Sequence, residues 1–371
     1  MKKLMYSMLL LLAASCSESD AFNPDGPRKK GPFSNHSNEI IIQWNTTARE
    51  KIMQGPEHHS LLVSRILAMV HIAMHDALNN IAPVYETYAL NHEDKKADPI
   101  AAVSAAAHAV LVGSFPDKKQ QLDSALNEAL KQVKSATARE RGIILGVEAG
   151  TAILAMRNDD GAFADPVAQV NNPPQPGLFQ AVPPLPFLFA PFWATMETFG
   201  IESAAQFRVP AMPSLSSEKY TEAYNEVKSK GIKESSTRTA EETSIAKFWY
   251  EFSEIGWNRV TITAVRDKHL DLITTARLFA LVNMGLADSY TAGWDSKIHH
   301  NFWRPYTAIR AAATDGNDQT IDDASWEPLM NTPPIHDYPS THSVLGNAAA
   351  AKAPGYYYSG LHTLYGRSQP L

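Results

Sequence analysis

Between residues 61 and 81 the apolar side chains Val63, Ile66, Leu67, Val70, Met74, Ala77, Leu78 and Ile81 recur at three- and four-residue spacing. That is the pattern of a helix face that has to be buried. Helical patterns return over 99–112, which is Ala-rich and almost free of charge, and over 117–133, 136–156, 217–230, 239–254 and 269–289. Alternating strand patterns are nearly absent, so the expected fold class is all-α. With 371 residues, 44% of them hydrophobic and 19% charged, the chain is long and apolar enough to build a sizeable packed core. The stretch 157–215 holds ten of the 24 prolines, including Pro173-Pro174-Gln175-Pro176 and Pro183-Pro184-Leu185-Pro186. Together with Phe187, Phe189, Phe192 and Trp193 it could wall a pocket; a proline-stiffened crossover packed onto the helices is the preferred reading.

The formal net charge of −6 excludes a generally basic nucleic-acid binder, because phosphate contacts need clustered Lys and Arg. The single cysteine excludes a disulfide framework and a multi-cysteine zinc site. Residues 1–15 combine Met1-Lys2-Lys3 with the apolar run 4–12 and small residues, which reads as an export signal too short to span a bilayer. Ala13-Ala14-Ser15 places small residues before Cys16, which resembles a bacterial lipoprotein signal, although Ala13 stands where Leu is usual. The expectation is an exported lipoprotein, periplasmic or in the outer membrane, anchored by lipid at Cys16. Residues 16–38 are then a polar tether and 39–371 a helical domain. No apolar span of about 20 residues is read in that domain, which argues against an integral membrane protein.

The chemistry gathers between Trp294 and His342. Lys297 and Arg304 are seven apart, two turns along one face if both lie on a helix, and Pro305 restricts the helix there. A lysine and a planar guanidinium are suited to a tetrahedral oxyanion, the guanidinium through paired hydrogen bonds and the lysine as a movable charge. About 35 residues later, Ser340 stands where a cap would open the apolar helix 344–351, and free backbone N–H groups at that end favour an anion. His342, on the first turn, is placed to exchange protons. Read singly, Lys297 and Arg304 are as easily surface residues pairing with Asp295, Ser340 a plain cap and His342 a structural histidine. His71 and His75, four apart and followed by Asp76, read as buried hydrogen-bonding residues rather than a metal pair. His299 or His300 could line the pocket.

Lys297 through Pro305 spells Lys, six residues, Arg-Pro, and Pro339-Ser340-Thr341-His342 matches Pro-Ser-Gly-His with Thr for Gly. In these motifs the chain resembles the vanadium-dependent haloperoxidase and type 2 phosphatidic acid phosphatase superfamily. The run from Phe302 to Arg310, the run from Arg65 to His71 with Asp76, and Ala276-Arg277-Leu278-Phe279-Ala280 resemble its bacterial haloperoxidase-like branch. The resemblance covers about 40–350 and implies a helical bundle of the haloperoxidase/acid phosphatase type, with vanadate, or phosphate in a phosphatase, in a cationic cup. By that analogy Lys297 and Arg304 bind equatorial oxygens, Ser340 donates a hydrogen bond, and Thr341 contributes its N–H. His342 is the acid–base residue, and Lys297 also polarises bound peroxide. Hydrogen peroxide and halide, or a phosphate ester, are the implied partners, and pairing into a homodimer is expected of the class.

The superfamily's third motif, Ser-Arg, five residues, His, supplies a further arginine and the histidine that bonds vanadium directly; it does not follow the second motif in residues 343–371. No metal-ligating residue is therefore assigned. Arg367 and His362 stand in the wrong order, and Pro354-Gly355-Tyr356-Tyr357-Tyr358 breaks the helical pattern. The expectation from this is a truncated or frame-shifted chain with impaired turnover. Three readings stand: a vanadate-dependent haloperoxidase, favoured by the Phe302-Trp303-Arg304-Pro305 context; an acid phosphatase on the same scaffold; and a non-catalytic anion-binding lipoprotein.

Overall fold

A computed structural model describes residues 31–52 and 59–351. The proposed export signal and the stretch 352–371 lie outside them. The described chain is helical apart from a pair of two-residue antiparallel strands, β1 (Val167–Ala168) and β2 (Leu188–Phe189). Eleven α-helices follow in order among the described residues: α1 (Glu39–Thr47), α2 (Ser60–Ile81), α3 (Pro99–Ser114), α4 (Lys119–Leu130), α5 (Ala136–Met156), α6 (Glu218–Gly231), α7 (Ala240–Trp249), α8 (Ser253–Asp267), α9 (Leu272–His300), α10 (Pro305–Arg310) and α11 (Thr341–Ala351). The all-α expectation is met.

The helix starts are written in the sequence. Asp98 accepts hydrogen bonds from the N–H groups of Ile100 and Ala101, with Pro99 in the first helical position of α3. Ser135, Ser217 and Asp271 cap α5, α6 and α9 in the same way, and Thr239 with Glu242 forms a reciprocal capping box on α7.

Helix α2 runs through the centre, packed by α3, α5 and α9. By length and composition it is apolar enough to cross a membrane, which corrects the reading that no such span exists; here it is buried inside the protein. Several of its buried polar residues find partners inside the protein. Arg65 and Arg157 both donate through Nε to Asp160 Oδ2 (2.7 and 2.8 Å), and Asp76 accepts from the N–H groups of Tyr88, Ala89 and Leu90. Helices α3 and α5 approach closely because Gly142, Gly146 and Gly150 face α3. A Cβ on Gly146 would stand 2.2 Å from the Ala102 carbonyl oxygen.

Two helix boundaries differ from expectation. The pattern read as one helix over 239–254 is two, because the chain turns at Phe252 (φ −63°, ψ 126°) and α8 continues to Asp267. The pattern read over 269–289 belongs to a helix that continues to His300 and so carries Lys297. The chain is also packed earlier than a tether over 16–38 implies: Phe33 is in the core, and Asn38 Nδ2 donates to the Leu270 carbonyl (2.7 Å).

The proline-rich connection is a crossover docked on the helices. Trp193 and Phe179 are buried, Phe189 N–H donates to the Pro334 carbonyl (2.7 Å), and Trp294 Nε1 donates to the Phe189 carbonyl (3.3 Å). Asp288 on α9 accepts from the N–H groups of Phe199, Gly200 and Ile201 (2.6, 2.7 and 3.2 Å) and clamps the far part of the crossover.

Candidate functional site: a buried cationic pair

Lys297 lies one turn before the end of α9. The helix stops at Asn301, which takes the left-handed conformation (φ 48°, ψ 38°) while its N–H donates to the Lys297 carbonyl. Asparagine tolerates this conformation better than most residues. It is held there by reciprocal side-chain amide bonds with Asn172 of the crossover (2.8 and 3.0 Å). Beyond it the chain is extended: Phe302 bridges Leu178, Trp303 N–H donates to the Gly177 carbonyl, and Arg304 (φ −82°, ψ 155°) directly precedes α10 and Pro305. Lys297 and Arg304 therefore do not share a helix face. They meet because the chain leaves the helix between them.

What unites them is residues 335–337. The Asp337 N–H donates to the Phe302 carbonyl (3.0 Å), laying this segment alongside 302–304. Lys297 Nζ donates to the carbonyls of His336 (2.8 Å) and Asp337 (2.9 Å). Arg304 donates through Nε to the Ile335 carbonyl (2.5 Å) and through Nη1 to Asp337 Oδ1 (3.1 Å). Lys297 is 1% exposed and the Arg304 side chain 12%. Burial, with the neighbouring Arg304 charge and against the pull of Asp337, lowers the Lys297 ammonium to about 7. Burial also lowers Arg304, with Asp337 opposing. His336 is buried with its ring 4.6 Å from that of Phe179, and its Nδ1 has no hydrogen-bond partner among the described residues. Burial, then the charges of Lys297 and Arg304, push it down to about 4, so it is neutral.

Ser340 caps α11 as expected, its carbonyl accepting from Val344 N–H (3.1 Å) and its Oγ from Ser343 N–H (3.4 Å). The N–H groups of Thr341 and His342 find no acceptor among the described residues. Val344 packs toward Gly293, one turn before Lys297, which sets this helix start against α9. His342 is exposed, and its Nε2 donates to the Glu251 carbonyl (3.2 Å). Lys297 and Arg304 are thus brought together. Ser340, Thr341 and His342 follow three to five residues after Asp337, without a hydrogen bond to either cation among the described residues.

Asp295 does not pair with Lys297. It holds Arg208 through two bonds of 2.7 Å. His300 Nε2 donates to the Val209 carbonyl (2.9 Å) with its ring 5.2 Å from that of Tyr338, and His299 is exposed. His71 and His75 are buried and bonded, to Asn45 Nδ2 (2.9 Å) and to the Glu86 carbonyl (3.1 Å). His336 and Asp337 are site residues that motif spacing did not single out, although both fall inside the polar and aromatic stretch. A cleft of about 320 Å³ reaches Arg304 and Asp337 between walls that include Tyr250, Trp326, Leu329 and Met330.

Residues 277–363 match the family model described as the vanadium chloroperoxidase (VCPO) second helical-bundle domain. The chain is 24% identical over 421 aligned positions to a vanadium chloroperoxidase of Curvularia inaequalis, covering 89% of this chain and 67% of that protein. Its fold resembles that of a bacterial vanadium-dependent iodoperoxidase, with a TM-score of 0.73 and 23% identity over 92% of this chain and 87% of that one. It also resembles the apo form of a bacterial vanadium-dependent chloroperoxidase, with a TM-score of 0.64 and 18% identity over 85% and 81%. In sequence and in fold the chain is similar to vanadium haloperoxidases.

Proposed function

We propose that this protein binds vanadate between Lys297, Arg304 and the start of α11, and that it is a haloperoxidase-like oxidoreductase using hydrogen peroxide and halide. The observation that carries this reading is the convergence of two buried cations on residues 335–337 with one carboxylate between them. Burying such a charge excess is costly, and an oxyanion offsets it. The fit is supported by donors still free: the third Nζ hydrogen of Lys297, the second terminal amine of Arg304, and the N–H groups of Thr341 and His342.

Vanadate, when bound, supplies an electrophilic centre at which peroxide becomes able to oxidise halide. The chain's own part is electrostatic and geometric. Lys297 and Arg304 hold the anion's oxygens, and Ser340 Oγ and the Thr341 N–H add hydrogen bonds at the positive end of α11. His342 accepts and returns a proton through its imidazole, once it turns from the Glu251 carbonyl. Lys297 near its own pKa can also give a proton or take one.

Isothermal titration with orthovanadate, followed by assays of peroxide-dependent iodide and bromide oxidation, tests the reading. Saturable binding with halide oxidation above the vanadate-free level is expected. Binding with hydrolysis of p-nitrophenyl phosphate and no halide oxidation would replace it by the phosphatase reading. An exported, lipid-anchored location is proposed with it, on the strength of the basic start, the apolar run and Cys16. Loss of membrane association and of fatty-acid labelling in Cys16→Ser is the expected outcome.

A further inference from the structure

Asp337 holds a position the vanadate reading does not use. Its main chain accepts from Lys297 Nζ, and its carboxylate takes one of the Arg304 amines. Around this point the charge balance can be written residue by residue. Below pH 7 Lys297 and Arg304 contribute two positive charges and Asp337 one negative, and the His336 imidazole is neutral at the upper end of that range. The other charged groups near the cleft belong to separate contacts. Lys230 pairs with Glu242, and Arg238 is fixed by the carbonyls of Lys230, Ile232 and Lys233 and by Thr243, which hold it in place on the cleft wall and leave its charge uncancelled. Arg208 and Asp295 neutralise each other. Among Lys297, Arg304 and Asp337 themselves one positive charge is left uncompensated, with both cations largely removed from water.

From this balance we infer that Asp337 is a specificity residue which sets the pocket for a singly charged tetrahedral oxyanion rather than a doubly charged one. The inference rests on the oxyanion site proposed above. A monoanion brings the trio of Lys297, Arg304 and Asp337 to neutrality while Lys297 is charged. A dianion leaves an excess negative charge beside a carboxylate that cannot move away without giving up Arg304, and in a poorly solvated site such an excess is expensive. Asp337 also competes directly: the amine it takes from the guanidinium is one that a bidentate oxyanion would use. For oxyanions that titrate near neutrality, such as vanadate and phosphate, the form favoured is the one that keeps the extra proton.

The test uses two tetrahedral probes whose charges do not change near neutral pH, perrhenate (one negative charge) and sulfate (two). Both are titrated into the full chain by calorimetry, with the fluorescence of buried Trp303 beside Arg304 as a second readout. Asp337→Asn keeps the shape and the carbonyl oxygen that faces Arg304. It is expected to strengthen sulfate binding about tenfold more than perrhenate binding, the effect of one carboxylate charge at an intermediate dielectric. Asp337→Glu, which retains the charge, is expected to keep the wild-type ratio. An unchanged ratio in Asp337→Asn, with both anions binding, overturns the inference and leaves the oxyanion site standing. Failure of the wild type and of both variants to bind either anion overturns the site and the inference together.

Discussion

Lys297 and Arg304 each give their hydrogens first to main-chain carbonyls, so the pair is held in place without being neutralised. Removing one of them has a calculable effect on an anion. A charged hydrogen bond contributes roughly 1.5–3 kcal/mol, so Lys297→Met should weaken vanadate binding about 10- to 100-fold in a calorimetric titration. Because the folded Lys297 ammonium sits at about 7, against 10.5 when unperturbed, its charge is present below neutrality and is lost as pH rises through 7. Perrhenate affinity, free of ligand titration, should therefore decline from below to above pH 7 in the wild type and stay flat in Lys297→Met. The same shift has an opposite sign for stability. Between about 7 and 10.5 the unfolded chain binds the proton that the folded one has shed, so the anion-free protein gains stability with pH in that window. Lys297, Arg304 and Ser340 were legible because two motifs with fixed spacing name them. His336 and Asp337 were not, since their place follows from the path of residues 335–337 beside 302–304, which side-chain identity does not encode.

At the scale of elements, the α3–α5 contact depends on three glycines four residues apart, Gly142, Gly146 and Gly150, each of which would put a Cβ under 3 Å from α3. Gly146→Val should cost about 1–3 kcal/mol by overpacking, read as a lower denaturation midpoint with an unchanged denaturant slope. Elsewhere in the bundle, Glu254 near the start of α8 is buried, accepts from Tyr290 Oη (2.8 Å), and is pushed up to about 7 by burial. A carboxyl raised above its unfolded value of 4.5 favours folding while protonated, and that contribution is lost as pH rises from about 4.5 through 7. Glu254→Gln should thus gain stability relative to wild type across that window, by roughly 3 kcal/mol at its upper end, and the difference should level off above it. Thermal unfolding of both proteins at a series of pH values checks the sign. Three-four periodicity made most of these helices legible. The turn at Phe252 was not, because residues 249–253 contain neither Gly nor Pro and the apolar spacing continues through them.

Across the whole molecule, the crossover is as much a part of the site as the helices. It supplies Asn172 to the left-handed Asn301, Phe179 to the face of His336, and Leu178 to the bridge with Phe302. Proline content and length announced this connection, but its docking depends on single long-range bonds that no local pattern carries. Asp288→Ala removes the acceptor of three crossover N–H groups, and faster amide hydrogen exchange at Phe199, Gly200 and Ile201 is expected while α2 stays protected. The proposed vanadate site itself rests on the two buried cations. The most direct measurement is a calorimetric titration of orthovanadate into the full chain beside a Lys297→Met/Arg304→Met double variant. The account predicts a single saturable site in the wild type that is absent from the double variant. Equal binding by both proteins, or none by the wild type, would contradict it.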